Sequence, residues 1–505
     1  MTPVFPSATL SESALFNAVQ VLPNTLTGLF RKRENLVGMF DGLDTDLLAA
    51  QVLADLRAAH PGDALWVRVL GVRTLLVFGE PLLREVLDRS GSLFASDPDT
   101  KLQGMSHFQP GALTLSHGEK WRERRAHAHD ALSSGPLAPH FLSLVAKEIA
   151  RLKERSTAYV LDWPSFEDAV TRIARQVILG TRARDDDELT AHLRAMMSEA
   201  NRVKGLRRSR HYEPFYRRLA HYVRVGEPGS LVSQLRSPDP SQVTHWLFAM
   251  ADTVAANAFR ALAATVNQPS VLADVRASLR APTSVSDVDG MGALERCVHE
   301  TMRLWPTTPM FGRRTTAATT LGGVPLPGGT QLLIVNSFNH RDPRSIDDPD
   351  LFTPDRWRDA RPDYRFNQFS NGTQGCPGSS LSVFLMKAVL ANLLVDCSFT
   401  PLVAAAQKPL PLKGKLGMAA TAATNTATMP WRAFASGRFT MRQLEKIAYD
   451  PVKAMPQLTM LLKALPLTMT FADPRAGQRR IVEGRPMPYS LNYFTLRFAM
   501  EPLRV

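Results

Sequence analysis

One cysteine is distinguished by its neighbours. The stretch Phe369-Ser-Asn-Gly-Thr-Gln-Gly-Cys376-Pro-Gly378 sets Cys376 in a glycine-rich loop. The segment behind it keeps Leu381, Leu385, Ala388 and Leu393, with Phe384 beside them, on one face at helical spacing. Pro377 suits a first helical turn, where its missing N–H costs nothing. Cys376 would then sit at the positive end of a helix, where a thiolate is favoured over a thiol. Gly372 and Gly375 permit backbone conformations closed to other residues and a close approach to a flat ligand. A thiolate among amide donors is what a soft metal centre needs as an axial ligand. A lone cysteine is more often a small buried hydrophobe, so the surroundings have to decide.

Other residues suggest where such a centre would be served. Trp121 and Arg125 stand at i, i+4 on a helical stretch, and in most chains such a pair is a solvated basic face. Pro240 opens a long helical stretch to about Val266, apolar nearly all round and therefore buried. Inside it sits Ala249-Met250-Ala-Asp252-Thr253, and a mid-helix acid and alcohol are costly unless they serve something. The ordinary reading is a satisfied buried Asp beside a Thr bonded back to its own helix. Glu300 and Arg303, at i, i+3, face the same way and can pair, a weak signal by itself.

The spacing F-x-x-G-x-x-x-C-x-G resembles the haem-ligand loop of the cytochromes P-450, and the chain is identified as a bacterial-type soluble member of that superfamily. The resemblance covers roughly Leu47 to Cys397, with its motifs in order. It implies a mainly α fold with a small β region, enclosing haem b. Cys376 would be the axial ligand of the haem iron, and its electron donation favours O–O cleavage. Phe369 and Gly372 would line the cysteine side of the cofactor. Trp121, Arg125 and Arg313 would hold the propionates, Arg313 being preferred to Arg314 by its spacing to the Gly322-Gly323 turn. Asp252 and Thr253 would kink the oxygen-side helix and relay protons. Glu300, Arg303 and Arg356, the last in Pro354-Asp-Arg356-Trp357, would form a buried cluster locking the loop before the cysteine. Asn339-His-Arg-Asp-Pro343 is a further landmark. Two positions depart: Gln374 stands where the family usually has a basic residue, and Met250 where it favours glycine. Substrate contacts expected from position are Phe108, Phe248, Ala249, Met250, Met310 and Phe311.

The elements that must position these residues are partly legible. Leu47 to Ala58 reads as a helix, and Trp66–Leu70 and Thr74–Phe78 around Gly71 as a β-hairpin. A helix follows from Pro81 to about Leu87, then a loop from Ser96 to Leu113. Helices are expected over Pro139–Arg155 and Ser165–Leu179. Residues 1–46 form a segment packed on the domain, 47–397 the haem-thiolate domain, and 398–505 a long continuation of it. In that continuation Leu402–Pro430 is Ala/Thr-rich, Phe439–Leu467 reads as helical and Leu491–Phe498 as a strand.

Composition narrows the partners. A formal charge of +13 on 505 residues favours an acidic partner, a ferredoxin or flavodoxin passing on electrons from NAD(P)H. Arg202–Arg224 interleaves arginines with Tyr212, Phe215, Tyr216 and Tyr222, but reads as a solvated helical face rather than a nucleic-acid grip. Three cysteines without a C-x-x-C pair fit a reducing cytoplasm. Ala14–Phe30 is too short and polar to span a bilayer; with Arg31, Lys32 and Arg33 behind it, peripheral membrane contact stays open beside packing on the domain. The reaction implied is monooxygenation of an apolar small organic molecule by dioxygen. Its rivals are a haem-thiolate enzyme performing rearrangement, coupling, dehydration or peroxide-driven oxidation, and a non-enzymatic haem-binding sensor.

Overall fold

The computed structural model describes residues 4–96, 98–133, 135–155, 160–202, 206–235, 239–359, 363–402 and 481–503. Its strands in chain order are β1 (Ala64–Val69), β2 (Val72–Val77), β3 (Phe94–Ala95), β4 (Val160–Asp162) and β5 (Met310–Thr315). They are followed by β6 (Thr319–Leu321), β7 (Val324–Leu326), β8 (Gln331–Val335), β9 (Cys397–Pro401) and β10 (Arg497–Pro502). The five-stranded sheet runs β1-β2-β8-β5-β3. Its hairpin turns on Leu70 (φ 47°) and Gly71 (φ 89°), two consecutive left-handed residues, the geometry that matches strand twist in tight hairpins. Strand β8 then pairs parallel to β2 and antiparallel to β5, which aims Arg313 of β5 inward.

The rest of the fold is helical and centred on the helix Pro240–Val266. Pro240 fits its first turn, and the Asp239 side chain accepts from Ser241 N–H at 2.9 Å, satisfying an otherwise orphaned donor. Beyond Val254 its buried residues are mostly small, including Ala255, Ala258, Ala261 and Ala264. Small side chains let the helices Trp163–Leu179, Gly292–Leu304 and Ser379–Leu394 pack against it. Phe259 anchors one of these contacts, stacked on Phe166 with centroids 4.7 Å apart. Deleting such a ring typically costs about 3–5 kcal/mol.

Several expectations shift. The presumed loop Ser96–Leu113 contains a helix, Asp99–Ser106, whose sequence has no apolar periodicity to announce it. The cysteine helix begins at Ser379 behind Gly378, so Pro377 precedes the helix instead of starting it. The terminal strand begins at Arg497; Tyr493–Thr495 is a single 3₁₀ turn under Trp163. Residues before 47 form the helices Leu10–Phe16 and Leu22–Leu26 joined by a π-helical turn, Asn17–Val21. Phe16, Val19 and Val21 there share one buried cluster with Leu65, Val67 and Leu76 of the hairpin. At the other end β10 pairs with both β4 and β9, so the last described residues complete a sheet of the same body. The readings of Leu402–Pro430 and Phe439–Leu467 fall, but for Leu402, outside the described residues.

Candidate active site

Cys376 sits where the loop meets the cysteine helix. Its amide donates to the Phe369 carbonyl at 2.7 Å, closing the loop on itself. Gly372 holds φ +73°, and a Cβ there would overlap the Leu87 carbonyl of the helix Glu80–Asp88. Its glycine requirement is thus a packing requirement against that helix, and Gly372 is not among the residues lining the cavity described below. Gly375 has an ordinary φ of −53° and is constrained by the nearby Ser370 carbonyl. Thr373 ties the same loop down, its hydroxyl donating to the Ser90 carbonyl at 2.5 Å.

The Cys376 side chain lines a cavity of about 320 Å³, from which it is accessible although protein surrounds it. Burial raises the thiol pKa, while the Gly378 amide and the Arg125 charge oppose that rise. Burial therefore outweighs the helix end, and the thiolate expected from position alone needs a bound cation to stabilise it. Trp121, Arg125, Arg313, Phe369 and Gln374 line the same cavity. Arg125 donates to the Gly375 carbonyl. Arg313 is buried and donates to Ser90 Oγ at 3.0 Å and to the Gly312 carbonyl at 3.0 Å. Burial pushes its pKa down to about 10, and no carboxylate contributes to the shift. Among the described residues no Asp or Glu lines the cavity. A larger recess of about 530 Å³ shares Gln368 and Phe369 with this one, but no cysteine lines it.

Behind the loop lies the Glu300 cluster. Arg303 donates to both Glu300 oxygens, at 2.8 and 2.7 Å, and both side chains have zero exposure. Glu300 also accepts from Thr353 N–H at 2.9 Å and from Trp357 Nε1 at 2.8 Å. Arg356 is the looser member, 3.7 Å from Glu300, with a hydrogen bond to the Asp348 carbonyl at 3.3 Å. The cluster is therefore completed by Trp357 and Thr353 more than by Arg356, because an indole N–H one residue on reaches the carboxylate better. His340 carries the restraint to the cysteine loop. Its Nδ1 meets the Arg303 carbonyl at 3.2 Å, and its Nε2 accepts from Asn367 N–H at 2.8 Å. Burial lowers its pKa to about 3, consistent with a neutral ring that donates on one side and accepts on the other.

The long helix forms the opposite wall through His245, Trp246, Ala249, Met250, Thr253, Val254 and Asn257, one stripe at helical spacing. Thr253 donates to the Ala249 carbonyl, one turn back in its own helix. Asp252, next in sequence, cannot share Thr253's face and does not line the cavity. It pairs with Arg31 at 3.2 Å, and Arg31 also meets Glu167 at 2.9 Å. Burial raises the Asp252 pKa; Arg31 opposes this and Glu167 adds to it. The helix runs without interruption across 27 residues, through the acid and the alcohol.

Of the expected substrate contacts, Ala249, Met250 and Phe311 line the cavity, and Phe108, Phe248 and Met310 do not. Phe108 is fully buried between Phe30 and Phe248, with centroids at 5.8 and 5.4 Å, because it serves the core under the helix Asp99–Ser106. Met310 heads β5 one residue before Phe311, and neighbours on a strand face opposite sides. His245, Thr307, Thr308 and Lys101 were not anticipated. His245 was within reach, since counting back two turns from Thr253 along its stripe arrives there.

The family described as Cytochrome P450 matches residues 241–424. Cytochrome P450 81F2 of Arabidopsis thaliana is 25% identical over 395 residues, 66% of this chain and 79% of that protein. Probable cytochrome P450 312a1 of Drosophila melanogaster is 34% identical over 125 residues, 24% of each chain. Flavonoid-6-hydroxylase of Mentha piperita is 32% identical over 157 residues, 28% of this chain and 30% of the relative. The chain is thus similar to the cytochrome P450 superfamily, oxidoreductases that use haem with a cysteine thiolate and draw electrons from a redox partner. These relatives are plant and animal proteins, and the bacterial-type expectation has no counterpart among them. Among the described residues no helix is long and apolar enough to cross a membrane.

The residues present fit a haem. A thiol opens into the cavity, and the buried Arg313 cation has only hydroxyl and carbonyl partners among the described residues. Gln374 Oε1 is buried in the wall with no hydrogen-bond partner. A dianionic, flat cofactor with a soft metal would answer the first two of these.

Proposed function

We propose that the chain is a monooxygenase that hydroxylates or epoxidises an apolar small organic molecule, with Cys376 as the residue that would hold the iron of haem b. The observation that carries this reading is that Cys376 and Thr253 line one cavity together with Arg125 and Arg313. When bound, the haem supplies dioxygen activation and the oxidation of substrate. Arg313, Arg125 and the Trp121 indole would hold the propionates, since guanidinium forks suit carboxylates. Phe369 would cover the cysteine side of the ring.

Ala249, Met250, Val254, Met302 and Phe311 present an apolar surface that excludes bulk water from the substrate. Thr253 can exchange its bond to the Ala249 carbonyl for one to a water and pass a proton from it. Asp252, its pKa raised by burial, faces away from that hydroxyl and would reach it only through water once Arg31 releases the carboxylate. Electrons from NAD(P)H would arrive through an acidic ferredoxin- or flavodoxin-type protein, suited to the +13 charge. The reading places the enzyme in the cytoplasm.

Reduced protein under carbon monoxide should give the red-shifted Soret band of thiolate ligation, and Cys376→Ser should lose it. Retention of that band by the serine variant defeats the assignment. One observation favours a second reading, a haem-thiolate enzyme that rearranges its substrate or uses peroxide: Asp252 is paired with Arg31 and stands off the cavity wall. Product formation without NADH and without dioxygen, from substrate alone or with added peroxide, would select it.

A further inference from the structure

The cavity follows the long helix past Thr253. His245, Ala249 and Thr253 stand four residues apart on one face and all line it. At 1.5 Å per residue, His245 lies about 12 Å along the axis from Thr253. The wall changes character over that distance. Thr253 is flanked on the stripe by Met250 and Val254, whereas His245 feels the charge of Lys101. Lys101 Nζ donates to the Ser96 carbonyl at 3.0 Å, and Ser96 Oγ donates to the Thr114 carbonyl at 3.0 Å. Ser96, Lys101 and Thr114 all line the cavity.

The protonation of His245 is set from behind. Gln109, fully buried, places Oε1 2.9 Å from His245 Nδ1. Burial, helped by Lys101, lowers the His245 pKa to about 4, so the ring is neutral near pH 7. A neutral imidazole whose Nδ1–H donates to a carbonyl carries a lone pair on Nε2. Among the described residues nothing hydrogen-bonds that nitrogen.

Resting on the proposed oxygenase reading, we propose that the His245 end is a head-group subsite for an elongated substrate. That substrate is apolar at the oxidised end and carries a hydroxyl about 12 Å away. Its O–H donates to His245 Nε2, and its oxygen accepts from the Lys101 ammonium, which has three donors to share. A bare hydrocarbon offers neither group a polar contact. A carboxylate has no proton to give and sets lone pairs against Nε2.

The test titrates the haem-loaded enzyme with decane, decan-1-ol and decanoate, following the Soret shift and, independently, the heat of binding. Decan-1-ol should bind about tenfold tighter than decane, the size of one net buried hydrogen bond. His245→Phe should erase that preference while leaving decane affinity in place, and His245→Gln, whose amide oxygen can accept, should restore part of it. Equal affinity for decane and decan-1-ol overturns the subsite. So does tighter binding of decanoate, which would put the proton on Nε2, and so does binding of none of the three. The carbon monoxide band separates the two levels: if it is present without discrimination, the subsite falls and the oxygenase reading stands. If it is absent, the oxygenase reading falls and takes the subsite with it.

Discussion

The two walls of the cavity are built by different rules. Behind the cysteine loop the buried acid is answered by an arginine three residues on and by the segment that carries Thr353 and Trp357. Glu300 receives four hydrogen bonds from Arg303, Thr353 and Trp357, and His340 links Arg303 to Asn367, two residues before Phe369. On the oxygen side the acid is answered once, by an arginine 221 positions away, and the alcohol is turned back on its own helix. A buried ion pair is a poor source of net stability but a strong determinant of geometry when each partner is satisfied. The cysteine wall is thus fixed, and the oxygen wall can change partners.

The harshest way to break this contrast is Glu300→Ala. It leaves the Arg303 guanidinium buried and unpaired and strands the Trp357 N–H, which should cost about 3–5 kcal/mol in urea unfolding. A loss below about 1 kcal/mol would mean the cysteine wall is no more rigid than its opposite. Next, Arg313→Ala should speed haem loss to an apo-acceptor far more than Gln374→Ala, since a charge-assisted bond is worth about 1.5–3 kcal/mol and a neutral one about half that. Equal rates would remove Arg313 from propionate binding.

A pH test sharpens the same point. His340 has a folded pKa of about 3, below its ordinary value, so the unfolded chain takes up the proton first. Its contribution is complete above about pH 6.5 and is lost as pH falls towards 3, by up to about 1.4 kcal/mol per pH unit. His340→Gln should flatten the stability profile between those limits, and an unchanged slope would show that His340 is already charged. The smallest effect belongs to Met250→Gly, at about 1 kcal/mol or less in helix stability. Because Met250 lines the cavity, the variant should change the share of reducing equivalents lost as peroxide, or substrate affinity. No change in either would place the thioether outside the working space.

These differences track what could be read in the sequence. The cysteine loop, the Glu300–Arg303 pair and Arg313 rest on local spacings that the backbone enforces, and the structure brings Cys376, Arg125, Arg313 and Trp121 to one cavity. The hairpin and the span of the long helix were legible for the same reason, through Gly71, Pro240 and apolar patterning. Phe108 and Met310 were not, because whether an aromatic or a thioether on a loop or strand faces a cavity or the core depends on partners far away in sequence. Asp252 was placed in the right helix but assigned the wrong face, since adjacent residues point about 100° apart and the pattern was followed by motif rather than by angle. Trp357 and His340 carried a signal in their motifs that only the closed cluster makes readable.

The Arg31–Asp252 pair also has a meaning in time. During synthesis Arg31 emerges 221 residues ahead of its carboxylate, and the hairpin that packs with the first helices is made soon after it. The early-made end can therefore settle on the sheet and wait, holding a cation out for a helix not yet translated. Contacts of such separation form late, because the loop they close is long. Arg125 meets the Gly375 carbonyl across a still longer span, 250 positions, so the cysteine side is the last part of the pocket to be made, and a newborn chain would meet its cofactor there only after the oxygen-side helix has been translated.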